Sequence, residues 1–201
     1  MQRIGIFGGS FDPIHIAHLI LAECCRESLG LERILFIPAF ISPLKQSSQP
    51  VAPKHRIEML RLAIGGNPQF QVDTRELDRG GVSYTLDTVL TLKNDYPNAE
   101  LFLLMGADSV RDLPKWKSPE ELLELVSIGA ISRGGLGTPP WDSIRHLATE
   151  ERWLTIQNQI DAPQLEISSS NLRQRILAGH SIRYQVPAAV EMYIEQHQLY
   201  R

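Results

Sequence analysis

Two histidines three residues apart, His15 and His18, follow a glycine pair in the run GGSFDPIHIAH, residues 8–18. On a helix that spacing places both imidazoles on one face. Each ring can donate a hydrogen bond to a phosphate oxygen, and a nearby anion favours its cationic form. Gly8 and Gly9 offer backbone that a phosphate can approach closely. A helix starting after them presents unpaired N–H groups and the positive end of its dipole. For either histidine alone, a helix cap or a surface position is an equally good explanation. The conjunction with the glycines favours a site for a phosphorylated small molecule. Zinc is a poorer reading, because two histidines bring no third ligand. The phosphate fingerprints GxxxxGK and GxGxxG are missing from this segment.

Those residues need a scaffold, and the apolar pattern supplies one. Arg3–Phe7 is a short apolar run ending in glycine, typical of a buried parallel strand. His15 to Leu29 has helical spacing and stops at Gly30. Arg33–Pro38 is a second strand, and Ala39–Pro53 a proline- and serine-rich loop. Pro53 opens a helix to about Ile64. Gln69–Asp73 is a strand, Ser83–Asp95 a helix, Glu100–Met105 a strand, Glu120–Leu125 a helix and Val126–Ser132 a strand. Residues 134–163 carry no legible period. Ser168–Leu177 and Val186–Gln196 are the last helices. This alternation predicts an α/β fold, a Rossmann-like doubly wound parallel sheet. A small helical part from about residue 168 completes a single domain over residues 1–201. Ligands of such sheets bind beyond the C-terminal strand ends, which is where Gly8 and Gly9 fall.

Composition narrows the partners. The 201 residues hold 20 Lys plus Arg against 23 Asp plus Glu, a net charge of −3. Nucleic acid is not expected as a partner, since its binding usually needs a basic face. Small anions need only a local cluster. No apolar run reaches membrane-spanning length, so no membrane partner is expected. The start, MQRIGIFGG, enters a strand with no signal-peptide pattern. Cys24 and Cys25 are adjacent and cannot easily bridge each other. A reducing, cytoplasmic location is expected.

The opening run resembles the GG-[ST]-FDP-x-H-x-G-H signature of the HIGH-type nucleotidyltransferases. These enzymes join a nucleoside triphosphate to a phosphate-bearing acceptor and release pyrophosphate. Three further segments are similar to those of bacterial nicotinate mononucleotide adenylyltransferases: SYTLDT (83–88), LLMGADSVRDLPKW (103–116) and EISSSNLRQRI (166–176). They occur in the family's order over nearly the whole chain. Phosphopantetheine adenylyltransferases share the first and last motifs but usually carry Thr at the position of His15 and lack the middle two.

The resemblance implies ATP and nicotinate mononucleotide as substrates and a magnesium ion (Mg2+) carried by the substrate. His15, His18, Lys45 and Arg173 would face the triphosphate. Gly8, Gly9, Ser10, Phe11, Gly106, Asp108, Ile167, Ser168 and Ser169 would bind ATP, with Asp108 meeting ribose hydroxyls. Ser83, Tyr84, Thr85 and Trp116 would bind the acceptor, with Trp116 stacked on the nicotinate ring. Each residue also has its own physical logic. A serine among residues 168–170 can cap a helix, leaving free N–H groups for an anion. Arg173 on the first turn can fork onto a phosphate, or serve only as a surface arginine. A loop tryptophan suits stacking, or core plugging. Amides at the start of the 83–95 helix can receive a carboxylate. Asp108 is nearly as well explained as a helix cap.

The match departs at three places. Ala17 stands where the family has the glycine between its histidines, and its methyl is expected to press on the adenine. SPLK (42–45) replaces PPHK, so Leu44 removes a donor. Arg133, Gly134 and Gly135 replace R-P-G. Other acceptors (nicotinamide mononucleotide or phosphopantetheine) and a non-catalytic nucleotide-binding role therefore stay open.

Overall fold

Strand β2 (Arg33–Pro38, RILFIP) shows how the sheet is built. Ile34 and Phe36 point into one apolar cluster, while Leu35 and Ile37 point into another on the opposite face. A strand buried on both faces has no polar side, and burying each such side chain contributes about 1.5–3 kcal/mol. The computed structural model describes residues 2–43, 50–133 and 138–201. Six parallel strands form one sheet, in the order β3-β2-β1-β4-β5-β6. The others are β1 (Arg3–Gly9), β3 (Phe70–Val72), β4 (Glu100–Gly106), β5 (Ser127–Arg133) and β6 (Gln157–Ala162).

Helices cover both faces. One cluster packs α1 (Ile16–Leu29) and α2 (Pro53–Ile64) with α8 (Ser169–Leu177) and α9 (Ala188–Gln196). The C-terminal helices share this core, through Leu172, Val190, Ile194 and Leu199. The second cluster packs α4 (Thr85–Asp95), α5 (Ala107–Asp112), α6 (Pro119–Leu125) and α7 (Glu150–Ile156). Short α3 (Arg75–Arg79) lies between β3 and α4. Helix α1 sits close to the sheet: a Cβ on Gly129 would fall 2.8 Å from Leu104 and 3.2 Å from Leu29. That close approach requires glycine at this position.

The expected strands and long helices are present, with ends shifted by one or two residues. The unread stretch contains, in its described part, a 3-10 segment Trp141–Leu147, then α7 and β6. Strand β6 (QNQIDA) is a sheet edge whose buried apolar residues are Ile160 and Ala162, so it lacks the run that marks an inner strand. Its Asn158 amide donates to the Ile128 carbonyl at 3.2 Å instead of packing. Helices α3 and α5 were also not expected; each is one to two turns long, too short for a periodic signal.

Candidate active site

The sheet order reverses between β1 and β4, and their C-terminal ends open a crevice there. The crevice holds a cavity of about 340 Å³. Gly8, Gly9 and Ser10 line it after β1, Gly106 after β4, Ser83, Tyr84 and Thr85 at the start of α4, and Trp116 beyond α5. Four segments remote in sequence thus meet around a volume suited to a small ligand. A Cβ on Gly9 would come within 3.1 Å of the Phe11 ring, so glycine is needed there for packing. A Cβ on Gly8 or Gly106 would meet nothing within 4 Å, so these two keep the crevice open.

On one side of the cavity, α4 starts with unsatisfied donors. Tyr84 is its N-cap, and the Tyr84 and Thr85 amides are not engaged among the described residues. Ser83 is different. Its N–H donates to the Ile41 carbonyl at 2.9 Å, and its hydroxyl oxygen accepts from the Phe40 N–H at 2.9 Å. The Trp116 ring packs partly against the apolar cluster behind it, and its buried Nε1–H has no acceptor among the described residues. An unmet buried donor costs about 1–3 kcal/mol. Lys117 lies over the Tyr84 ring, 4.9 Å from its centroid, and pairs with Asp87 at 2.8 Å.

The histidines build a second region beside the cavity, not in its wall. His15 is the N-cap of α1, and its N–H donates to Nδ1 of His18 at 3.2 Å. The rings stack, with centroids 3.6 Å apart and planes 23° from parallel. Accepting at Nδ1 leaves neutral His18 with its proton on Nε2, a fixed donor. Phe11 stands edge-on to His18 at 5.2 Å. The Phe11 ring is buried with Phe7 and Phe36, so Phe11 can offer a nucleotide only its backbone.

Helix α8 docks onto the same loop. Ser169 donates to the Pro13 carbonyl at 2.8 Å, and Arg173 to the Asp12 carbonyl at 2.7 Å. The first and last motifs, more than 150 residues apart, therefore meet. Ser168 caps α8 by accepting from the Asn171 N–H, and Ile167 packs against the core. Helix α1 is less open to an anion than its N-terminus suggests. The Ile16 N–H donates to the Gln185 carbonyl and the His18 N–H to the His15 carbonyl. Asp108 is exposed in the first turn of α5, and Gly106, not Asp108, is that helix's N-cap. Ala17 is 3% exposed, so its methyl presents almost no surface to a ligand. Lys45, Leu44, Gly134 and Gly135 lie outside the described residues.

Three supporting residues escape a reading by sequence. Arg56 is 1% exposed, and its guanidinium donates to the carbonyls of Ser10 (2.9 Å), Ala39 (2.7 Å) and Val51 (3.3 Å). It ties the turn after β1 to the turn after β2. Tyr200 donates to Asp12 Oδ1 at 2.7 Å, and burial, then the Asp12 charge, pushes its pKa up. Glu76 is buried in the cavity wall. Nothing in local pattern marks a charged residue as interior; FDP alone hinted at Asp12. Cys25 is no nucleophile, since burial pushes its thiol up to about 12. No group of three His, Cys, Asp or Glu able to hold a metal occurs among the described residues.

Comparison with known proteins agrees with this geometry. The cytidylyltransferase-like family model matches residues 6–175. A Roseiflexus protein described as a probable nicotinate-nucleotide adenylyltransferase is 46% identical over 98% of this chain and 98% of its own. One from Thermus thermophilus, described in the same way, is 44% identical over the full length of both. Among solved structures, the nicotinic acid mononucleotide adenylyltransferase of Plasmodium falciparum complexed with NaAD superposes with a TM-score of 0.74 at 21% identity, covering 100% of this chain and 98% of that one. The chain belongs to the cytidylyltransferase-like family and, within it, to the bacterial nicotinate-nucleotide adenylyltransferases.

Proposed function

We propose that the protein joins the AMP moiety of ATP to nicotinate mononucleotide, giving deamido-NAD and pyrophosphate. The observation that carries this reading is the cavity at the strand switch, which combines the unengaged Tyr84 and Thr85 amides with the half-buried Trp116 indole. A pyridine ring with a carboxylate matches both features: the ring stacks on the indole, and the carboxylate accepts from the amides.

The acceptor's 5′-phosphate oxygen attacks the α-phosphorus of ATP in line, the bond to the bridging oxygen breaks, and pyrophosphate leaves. The attacking group is already ionised, so no protein nucleophile is required. Catalysis rests on positioning and on stabilising charge that moves to the leaving group. His18 donates from Nε2. His15, stacked beneath it, sets its orientation and lines the same site. Arg173 keeps N–H groups beyond those given to Asp12 and Ser170 for the β- and γ-phosphates. Lys45 is assigned to the phosphates through the family resemblance. Gly8, Gly9 and Ser10 bring backbone to the α-phosphate region. Gly106, Asp108, Ile167, Ser168 and Ser169 frame the adenosine side. Magnesium would come with ATP as a substrate-bound ion and would supply further charge neutralisation.

Among the described residues no helix is long and apolar enough to cross a membrane. We place the activity in the cytoplasm, with no nucleic-acid partner. The test is pyrophosphate release from ATP with nicotinate mononucleotide, nicotinamide mononucleotide or phosphopantetheine. Release with the first well above the others supports the proposal. Preference for either of the others reassigns the acceptor, and no release with any removes the enzyme reading.

A further inference from the structure

Glu76 is 7% exposed, yet it stands in the wall of the cavity. A buried carboxyl needs donors. Thr88 Oγ1 donates to Glu76 Oε1 at 2.6 Å, and Ser83 lies near enough to the same carboxyl to lower its pKa. Both residues are held in turn. Arg79 Nη2 donates to Thr88 Oγ1 at 3.1 Å, and Ser83 is gripped by the Phe40 N–H and the Ile41 carbonyl. The carboxyl thus joins α3 to the first turn of α4 and lies beside Ser83, which is itself tied to the chain after β2. Burial pushes the Glu76 pKa up, and the Thr88 and Ser83 hydroxyls work against that shift.

We propose that Glu76 is a positioning residue for the acceptor: by holding Thr88 in the first turn of α4, beside Ser83, it keeps the Tyr84 and Thr85 amides in the cavity wall, ready for the pyridine substituent. The bend at residue 83 has no regular ladder to fix it. Its main-chain tie is the isolated bridge between Ile41 and Val82. Removing the carboxyl leaves the buried Thr88 hydroxyl, among the described residues, only the Tyr84 carbonyl, at 3.5 Å, as an acceptor and frees the start of α4 from α3. Among the described residues, no hydrogen bond of Glu76, Thr88 or Ser83 goes to His15, His18 or α8. The effect is therefore confined to the acceptor side. The inference rests on the acceptor assignment made above.

The test uses the full chain with E76A, E76Q and T88V. E76A is expected to raise KM for nicotinate mononucleotide by about ten-fold or more, the size of effect typical of stranded buried polar groups. KM for ATP stays within about two-fold, since its contacts are elsewhere. E76Q, whose amide oxygen still accepts from a hydroxyl, recovers most of the loss. Amide exchange by NMR in the ligand-free protein supplies a readout independent of turnover. Exchange of the Phe40 and Ser83 amides is expected to quicken in E76A while β1 stays protected. If E76A does not fold, E76Q and T88V show the same pattern at smaller size. Equal rises in both KM values, or unchanged exchange at Phe40 and Ser83, overturn the proposal. A wild-type protein inert toward nicotinate mononucleotide sinks the acceptor assignment, while the exchange data still decide whether Glu76 holds the wall.

Discussion

The two halves of the site are prepared in different ways. On the cavity side, groups lack a partner among the described residues: the Tyr84 and Thr85 amides are unengaged and the Trp116 Nε1–H is buried without an acceptor. On the histidine side, groups are already bonded to one another: His15 to His18, Arg173 to Asp12, Ser169 to Pro13 and Tyr200 to Asp12. Under the proposed function, the first half would select a small organic group through unmet donors. The second would be a frame that aims a few remaining N–H groups at charge. Pre-organised donors of that kind act most strongly on the transition state. The comparison therefore assigns affinity to one half and rate to the other.

The largest expected effect tests the rate half. H18A removes the donor fixed by the His15 amide, and kcat is expected to fall by about 100-fold or more, as when one oxyanion donor is lost. KM for the acceptor changes little. Turnover and thermal melting measured together decide it, because near-normal kcat in a folded variant removes His18 from the chemistry. Next comes W116A. Loss of a stacking ring costs about 1–3 kcal/mol. KM for nicotinate mononucleotide is expected to rise about ten-fold or more, with KM for ATP nearly unchanged. Equal rises in both would make Trp116 a packing residue and erase the contrast between the halves.

How much of this was readable in advance follows the same divide. The inner strands were legible because burial on both faces leaves an unbroken apolar run, as in RILFIP and ELFLLM. Strand β6 was not, because QNQIDA is an edge whose polar side chains bond to the neighbouring backbone. Residues that carry donors at turns, such as His15, Ser169 and Trp116, stood out by type and motif. Residues that hold those turns did not. Arg56 and Glu76 are charged, so pattern assigns them to the surface, yet their hydrogen-bond partners are three carbonyls and a hydroxyl reached across the fold. Long-range satisfaction of a buried charge leaves no trace in local sequence.

Tyr200 sharpens the frame argument. Y200F removes the hydroxyl that donates to Asp12 Oδ1 and leaves that oxygen, among the described residues, a single N–H, from Val51, at 3.4 Å. Stability is expected to fall by about 1–2 kcal/mol, seen as a drop of about 2–8 °C in Tm. If the FDP loop acts as a frame, kcat falls modestly at temperatures where the variant is folded, and the acceptor KM does not move. A change in acceptor KM instead of kcat would show that the two halves are not separable.

The smallest effect concerns Ala17, where the family signature has glycine. A methyl pressing on the adenine would cost about 1–3 kcal/mol, so A17G would lower KM for ATP by about five-fold or more. Ala17 is 3% exposed, however, and its methyl is already covered by the protein. A17G is therefore expected to leave KM for ATP within about two-fold, and to lower stability by about 0.5–1 kcal/mol through glycine's added freedom in a helix. Titration of ATP against both proteins, with melting curves alongside, separates the outcomes. A markedly tighter ATP complex in A17G would mean that the first turn of α1 shifts when nucleotide binds, and that the histidine side is less rigid than its hydrogen bonds indicate.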